Sequence, residues 1–135
     1  MIDYQPYKRG TVLAPTGPCE HLHVVCNDPV YYPINGCDCV LVVNISSCKE
    51  GVPFDATCLL KPGDHDFIRH DSYVVYREAI IWRVPNVISR VQTGEIIPRS
   101  DVSFDVFKRI NAGFGISEQV IPKNFKFWRT FCSNY

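Results

Sequence analysis

Cysteine and histidine alternate along one short segment of the chain, as Cys19, His21 and His23. Alternate side chains of a β-strand lie on the same face, so this spacing predicts that the three face one way. If the strand that begins at Cys37 pairs antiparallel with this segment, Cys37 and Cys39 stand beside the histidines as ligands for tetrahedral zinc. The spacing matches no standard zinc finger, and unpaired cysteines are commonly small buried apolar residues. Burial is therefore the first interpretation, and a small zinc-stabilised domain is an alternative.

A second group of polar residues lies in the segment KPGDHDFIRHDSYVVYR, residues 61–77. His65 and His70 stand there within a few residues of Lys61, Arg69 and Arg77. Such a segment can position a phosphate or supply an acid–base pair near neutral pH. A loop rich in Asp and Gly is equally typical of a solvated turn whose Asp side chains cap backbone groups. The sequence leaves both interpretations open.

Two hydroxyl side chains follow the most apolar segment of the chain, VLVVNISS, residues 40–47. Ser46 and Ser47 stand at the end of a strand that its β-branched residues predict to be buried. Hydroxyls in this position can bond a phosphate oxygen, or they can satisfy the backbone of the following turn.

Length and composition limit the classes of function. The 135 residues, 46% of them apolar, predict one domain with a real core. Lys and Arg together number 14, as do Asp and Glu, so any contact with nucleic acid must be local. No stretch resembles a signal peptide or a membrane span, so we expect a cytoplasmic protein that does not contact membranes, whose seven cysteines form no structural disulfide.

Ten prolines and eight glycines divide the chain into short apolar runs, which is typical of a β-sandwich or small barrel. A helix is predicted to begin with Ser100 as its N-cap and to end at Gly113 in the left-handed conformation. The tail from Ile121 alternates polar and aromatic residues, which predicts a short edge strand or a turn. The predicted strands are residues 11–13, 21–26, 37–45, 57–60, 72–76 and 79–84.

The order of these segments resembles the PemK/MazF family of endoribonuclease toxins. The segments that carry the resemblance are Arg9-Gly10, HLHVVCND, VLVVNISS, LLKPGDHDFIRHDSYVVY, Gly94-Glu95-Ile96 and the helix ending near Gly113. They run from about Lys8 to Gly115, which leaves residues 116–135 as a C-terminal extension. The resemblance implies a mainly β fold in one domain, residues 1–135: a small SH3-like barrel with one α-helix from the C-terminal half packed on it.

The resemblance also implies an activity. Members of the family are homodimers that cut single-stranded RNA without a metal or other cofactor, and a cognate antitoxin protein lays a peptide in their RNA groove. By position, Ser46 takes the place of the family's catalytic hydroxyl. The family's catalytic arginine and the following proline are replaced by Glu20-His21, and a carboxylate supplies no positive charge.

Because the family's arginine is absent, other residues are expected to complete the site. His21 or His23 is predicted to be the acid or base, and Arg77 to complete the catalytic set. The missing arginine also supports an alternative, a barrel without catalysis that serves as a protein- or nucleic-acid-binding module. The residues predicted to bind substrate are Ser47, Lys61, His65, Arg69, His70 and Tyr73.

Overall fold

A computed structural model of the chain describes residues 3–134, which form one antiparallel sheet and three helices. The strands are β1 (Thr11–Thr16), β2 (Cys19–Val25), β3 (Val30–Tyr32), β4 (Cys37–Ser47), β5 (Leu59–Leu60), β6 (Ser72–Arg83) and β7 (Ile97–Arg99). The helices are α1 (Val84–Gln92), α2 (Phe104–Gly113) and α3 (Pro122–Phe131).

The sheet is a curled half-barrel in which the strand order is β5-β6-β4-β2-β1-β7, and β3 pairs with one end of β4. Strands hold 33% of the residues and helices 22%, which confirms the prediction of a mainly β fold. Among residues 3–134, no helix is both long enough and apolar enough to cross a membrane.

β4 lies at the centre of the sheet, as its apolar sequence predicts. Val40 through Ile45 are all buried because both faces of the strand are covered, which explains the lack of polar alternation. Leu41, Val43 and Ile45 belong to the large core cluster with α2 and α3, and we call this side the inner face. Val40 and Val42 contact α1 residues on the opposite side, the outer face.

The cover on the outer face is incomplete. In α1, Val84 packs on Val40 and Val42 of β4, whereas Val87 and Val91 pack on Val12 and Ala14 of β1. Further along β4, the residues that alternation assigns to this face are Asn44 and Ser46. The outer face therefore changes from apolar to polar along the length of one strand.

Two strands predicted separately, residues 72–76 and 79–84, are one strand, β6. The pairing of β4 with β6 shifts register between Val42 and Asn44, which lie opposite Ile80 and Val75. The extra residues on β6 form a bulge around Arg77 and Glu78, and a bulge bends a strand without ending it. In the sequence, Arg77 and Glu78 therefore predict a break between two strands, although β6 continues through them.

The prediction of a single helix is wrong, because residues on both sides of α2 are also helical. α1 begins with Pro85 in its first turn, where proline is tolerated, and its buried residues recur three and four positions apart. α3 occupies the tail that predicted an edge strand or turn. It buries Asn124 and Phe127, a spacing that the alternation of Lys with aromatic residues conceals.

The predicted second-half helix is present, but its ends differ. Ser103 is the N-cap, and its hydroxyl accepts a hydrogen bond from the amide of Val106. Ser100 is unsuitable because its carbonyl oxygen accepts bonds from Thr11 and His65 at the end of the sheet. Gly113 does not have a positive φ, so the predicted left-handed ending is also wrong.

The ends of three strands also differ from those predicted from the sequence. β1 continues through Pro15, which has no amide hydrogen to donate. The strand pairs with β2 along its whole length but with β7 only over residues 11–13, so Pro15 interrupts no hydrogen bond to β7. β3 includes Tyr31 and Tyr32, although residues 31–36 are predicted to form a loop, and the predicted strand over residues 57–60 is ordered as a strand only at Leu59–Leu60.

Candidate functional site

Strand pairing arranges the polar end of the outer face into two rows that cross the sheet. His23 lies opposite Asn44, which lies opposite Val75 on β6. In the next row Ser46 lies opposite Tyr73. His21 is two residues before His23 in β2, so both side chains lie on the same face of the strand. We call these the polar rows. They bring the predicted residues His21, His23, Ser46 and Tyr73 onto one face of three neighbouring strands.

His23 is the most enclosed member of the polar rows, with 4% of its surface exposed. Its Nδ1 donates a hydrogen bond to the carbonyl oxygen of His21 at 2.8 Å, and its Nε2 lies 3.4 Å from the Thr16 hydroxyl. The ring packs on Trp82 with centroids 5.3 Å apart. Burial lowers the pKa of His23 to about 4, so this imidazole is neutral at neutral pH.

Asn44 connects the polar rows to the β6 bulge. Its amide nitrogen donates to the Glu78 carboxylate at 3.1 Å, and the Arg77 guanidinium lies 4.0 Å from the same carboxylate. Asn44 is 3% exposed, and its side-chain oxygen has no hydrogen-bond partner among the described residues. Glu78 therefore links Arg77 to the polar rows, but the Arg77 side chain itself is largely exposed to solvent.

A cleft opens where β2 and β4 stop pairing. Their last pair is Leu22 with Ile45; beyond it β2 stays with β1, and β4 stays with β6. The strands therefore diverge and leave a cavity of about 320 Å³, lined by residues from both faces of the sheet. Its lining residues are Leu13, Glu20, His21, Leu22, Ile45, Ser46, Ser47, Lys49, Phe67, Ile68 and Ser72.

The polar residues of this cleft have complementary chemistry. Glu20 contributes a carboxylate, His21 an imidazole and Lys49 an ammonium group, while Ser46 and Ser47 contribute hydroxyls. The Nδ1 of His21 is buried and has no hydrogen-bond partner among the described residues. Buried polar atoms without a partner are rare, and ligand sites are one of the places where they occur. The cleft thus combines groups that transfer protons with groups that stabilise a negative charge.

His65, predicted to bind substrate, lies elsewhere and has internal partners. Its Nε2 donates to the carbonyl oxygen of Ser100 at 2.7 Å, and its Nδ1 accepts from the amide of Phe67 at 3.1 Å. With 6% of its surface exposed, it ties the loop before β6 to the end of β7. This bonding holds Phe67 beside the cleft.

The other predicted binding residues surround the cleft without lining it. Arg69 and His70 are exposed in the short segment between two lining residues, Ile68 and Ser72. Lys61 is exposed at the turn after β5, where its amide donates to Asp64. Tyr73 lines a separate, smaller cavity next to Ser46.

The zinc alternative depends on a strand register that the fold does not have. β2 and β4 do pair antiparallel, but Asn44 lies opposite His23, whereas Cys37 and Cys39 lie opposite β3. Within residues 3–134, no three His, Cys, Asp or Glu side chains are grouped to hold a metal ion. The cysteines are all free thiols.

Glu20 and Lys49 line the cleft but are not among the site residues that the sequence predicts. The segment from Lys49 to Gly51 reads as a turn, and Lys49 does follow the end of β4. The sequence contains one indication of this role for Lys49. Lys49 is two residues after Ser47, so if the alternation of the strand continues beyond its end, both side chains lie on the same side.

Comparison of the sequence with protein-family models and with curated proteins finds no significant match to this chain. A function for this chain is therefore inferred from the residues of the cleft.

Proposed function

We propose that this protein is an endoribonuclease that cleaves single-stranded RNA by attack of the 2′-hydroxyl on the adjacent phosphate. The observation that supports it most is the cleft between the diverging ends of β2 and β4, where Glu20, His21, Lys49 and two serines converge. This reaction needs no external nucleophile. It requires a base, an acid and groups that stabilise the phosphorane, and the cleft contains a candidate for each.

Each candidate has a role in the reaction. Glu20 accepts the proton of the 2′-hydroxyl, and the resulting oxygen forms a bond to phosphorus. The bond from phosphorus to the 5′-oxygen then breaks, and the imidazolium of His21 donates a proton to that oxygen. The products are a 2′,3′-cyclic phosphate and a 5′-hydroxyl end. Ser46, Ser47 and Lys49 stabilise the additional negative charge of the transition state.

The resemblance to PemK/MazF toxins supports the same activity independently. It concerns the order of the strands and the place of Ser46 at the end of the buried strand β4. On this proposal the half-barrel is a divergent SH3-like barrel of that family. The protein then acts as a homodimeric toxin, and a cognate antitoxin peptide competes with RNA for the cleft.

Lys49 bears on the main departure from the family. The sequence has Glu20-His21 where the family has an arginine, so the cation must come from another position. Lys49 lines the cleft, whereas Arg77 lies at the bulge beside Glu78. Lys49 is therefore the better candidate for the missing charge.

The test is cleavage of 5′-labelled single-stranded RNA of mixed sequence by the purified protein, with and without EDTA. We expect products ending in a 2′,3′-cyclic phosphate in both conditions. Ser46→Ala and His21→Ala are each expected to lower the cleavage rate about 100-fold. Ser89→Ala is the matched control, because Ser89 is exposed on α1 and lies outside the cleft.

Two results would contradict the proposal. If no RNA is cleaved by the folded wild-type protein, the enzyme claim fails and the binding-module alternative takes its place. If cleavage is undiminished in both variants, the activity belongs to other residues or to a contaminant.

A further inference from the structure

A second, smaller cavity lies next to β6, close to the cleft. It measures about 160 Å³ and is lined by Pro53, Phe54, Asp55, Tyr73, Arg77 and Gln119. Tyr73 lies directly opposite Ser46 across the β4–β6 pair. Side chains of directly opposed residues are neighbours on one face, so this cavity begins one strand away from the proposed reaction site. We call it the side pocket.

The side pocket contains an accessible pair of aromatic rings. Phe54 and Tyr73 have ring centroids 5.1 Å apart and planes inclined at 32°. Phe54 is 40% exposed although it is a large apolar residue on a loop. Exposed aromatic rings of this kind provide stacking platforms for the bases of single-stranded nucleic acid.

Polar groups surround the aromatic pair. The Arg77 side chain is 66% exposed and is free to lie over a stacked ring or to contact a phosphate. Gln119 is exposed and carries an amide with both donor and acceptor atoms, which is the chemistry that reads the edge of a base.

Asp55 builds the wall of the side pocket instead of facing a ligand. One carboxylate oxygen accepts bonds from the amide and hydroxyl of Thr57, and the other accepts from the Ser117 hydroxyl at 2.6 Å. The Ser117 hydroxyl in turn accepts from the amide of Gln119. Burial raises the pKa of Asp55, but these hydrogen bonds outweigh it, so the net pKa is lowered and the carboxylate stays charged. The loop that carries Phe54 is thereby fixed to the segment that carries Gln119.

We infer that the side pocket binds one nucleobase of single-stranded RNA, next to the phosphate at Ser46, and thereby sets a sequence preference. The base stacks on Phe54 and Tyr73, and Gln119 contacts its edge. The size fits one flat group, since pockets for drug-sized ligands are typically 300 Å³ or larger. This inference deepens the proposed ribonuclease function, on which it rests for the identity of the ligand.

Binding and cleavage must be measured separately. The binding probes are fluorescein-labelled hexamers of 2′-O-methyl RNA with A, C, G or U throughout, which lack the attacking hydroxyl. We expect wild-type protein to prefer one base, and Phe54→Ala to weaken binding of that hexamer at least 10-fold. Phe54→Trp keeps a stacking ring and should restore binding, while Gln119→Ala should reduce the preference among bases more than the affinity.

Phe104→Ala is the matched control, because Phe104 is an exposed phenylalanine on α2 outside both cavities. Thermal melting of each variant confirms that it is folded. The same variants are then assayed for cleavage of unmodified RNA, where Phe54→Ala should raise KM more than it lowers kcat.

The outcomes separate the two proposals. If wild-type protein cleaves RNA but Phe54→Ala leaves affinity and base preference unchanged, the side-pocket inference is overturned and the ribonuclease stands. If wild-type protein cleaves no RNA but binds a hexamer in a Phe54-dependent way, the side pocket stands and catalysis fails. If wild-type protein binds none of the hexamers, the inference is overturned.

Discussion

The imidazole of His23 donates a hydrogen bond to the main-chain carbonyl oxygen of His21 at 2.8 Å. The two histidines share a face of β2 but have different surroundings: His23 is enclosed beside Trp82, whereas His21 lines the cleft. Neutral His23 is thus a positioning residue that fixes the backbone from which the His21 side chain extends.

The first prediction concerns stability against pH. The folded-state pKa of His23 is about 4, below the ordinary histidine value of 6.5. Between these two values the unfolded chain binds a proton that the folded chain excludes, so stability must fall as the pH is lowered from about 6.5 to about 4. The loss attributable to His23 is of the order of 3 kcal/mol. Urea unfolding at a series of pH values measures it.

His23→Gln isolates that contribution. The variant removes the titrating ring, so its curve of stability against pH should be flatter than that of wild type over the same range. His70→Gln, which replaces an exposed histidine, is the comparison. Equal slopes for wild type and His23→Gln would mean that His23 does not exclude the proton.

The fold was predictable where local sequence and tertiary environment agree. Residues 37–45 are apolar throughout because β4 is covered on both faces, and the strand is found there. The start of α2 was misplaced by three residues because Ser100 and Ser103 are equally good caps in isolation. The choice between them depends on Thr11 and His65, which bond the Ser100 carbonyl from distant parts of the chain.

The site was predictable to a similar extent. Alternation assigns His21 to one face of its strand, and the end of a buried strand marks Ser46, so local sequence is sufficient for both. Strand register decides the rest: it places Asn44 beside His23 where the zinc alternative requires a cysteine. The role of His65 depends on Ser100, 35 positions further along the chain, and no local pattern contains that information.

The second prediction tests Lys49 as the cation of the proposed ribonuclease site. Lys49→Ala should lower the rate of RNA cleavage about 10- to 100-fold, because it removes the cation that lines the cleft. Binding of uncleavable RNA should also lose about 0.7 from the slope of log affinity against log salt, the value for one contact to a single strand. Lys49→Arg should retain most of the activity. Lys123→Ala removes an exposed lysine of α3 and should leave rate and slope unchanged.

The third prediction concerns Asn44, whose buried side-chain oxygen has no partner among the described residues. Burying such an atom costs about 1 to 3 kcal/mol, so an apolar residue of similar size should be tolerated. Asn44→Leu also breaks the bond to Glu78, but that carboxylate is 42% exposed and water can solvate it. We expect an unfolding free energy within about 1 kcal/mol of wild type.

Urea unfolding of Asn44→Leu measures this difference. A variant less stable than wild type by clearly more than about 1 kcal/mol would show that the hydrogen bond from Asn44 to Glu78 stabilises the fold.

The fourth prediction concerns Gly113 in the last turn of α2, where two effects oppose each other. Alanine is favoured over glycine inside a helix by up to about 1 kcal/mol. However, a Cβ at position 113 would overlap the hydroxyl of Tyr76, which is fully buried and donates to the carbonyl oxygen of Ile110 at 2.7 Å. Overpacking a rigid core costs about 1 to 3 kcal/mol, and here neither the helix nor the ring has space to move away. We therefore expect Gly113→Ala to be destabilising by about 1 to 2 kcal/mol in urea unfolding.

Tyr76→Phe tests the cause of that destabilisation, because it removes the hydroxyl but keeps the ring. The Cζ and Cε2 atoms, which phenylalanine keeps, also lie too close to the added Cβ, with Cε2 at 3.0 Å, so the relief is partial. Gly113→Ala should therefore cost less in the Tyr76→Phe protein than in wild type, without becoming stabilising. If the two costs are equal within about 0.5 kcal/mol, the Tyr76 hydroxyl is not the cause of the destabilisation. If Gly113→Ala stabilises the wild-type protein, helix propensity outweighs the overlap and the packing of α2 against Tyr76 is looser than described.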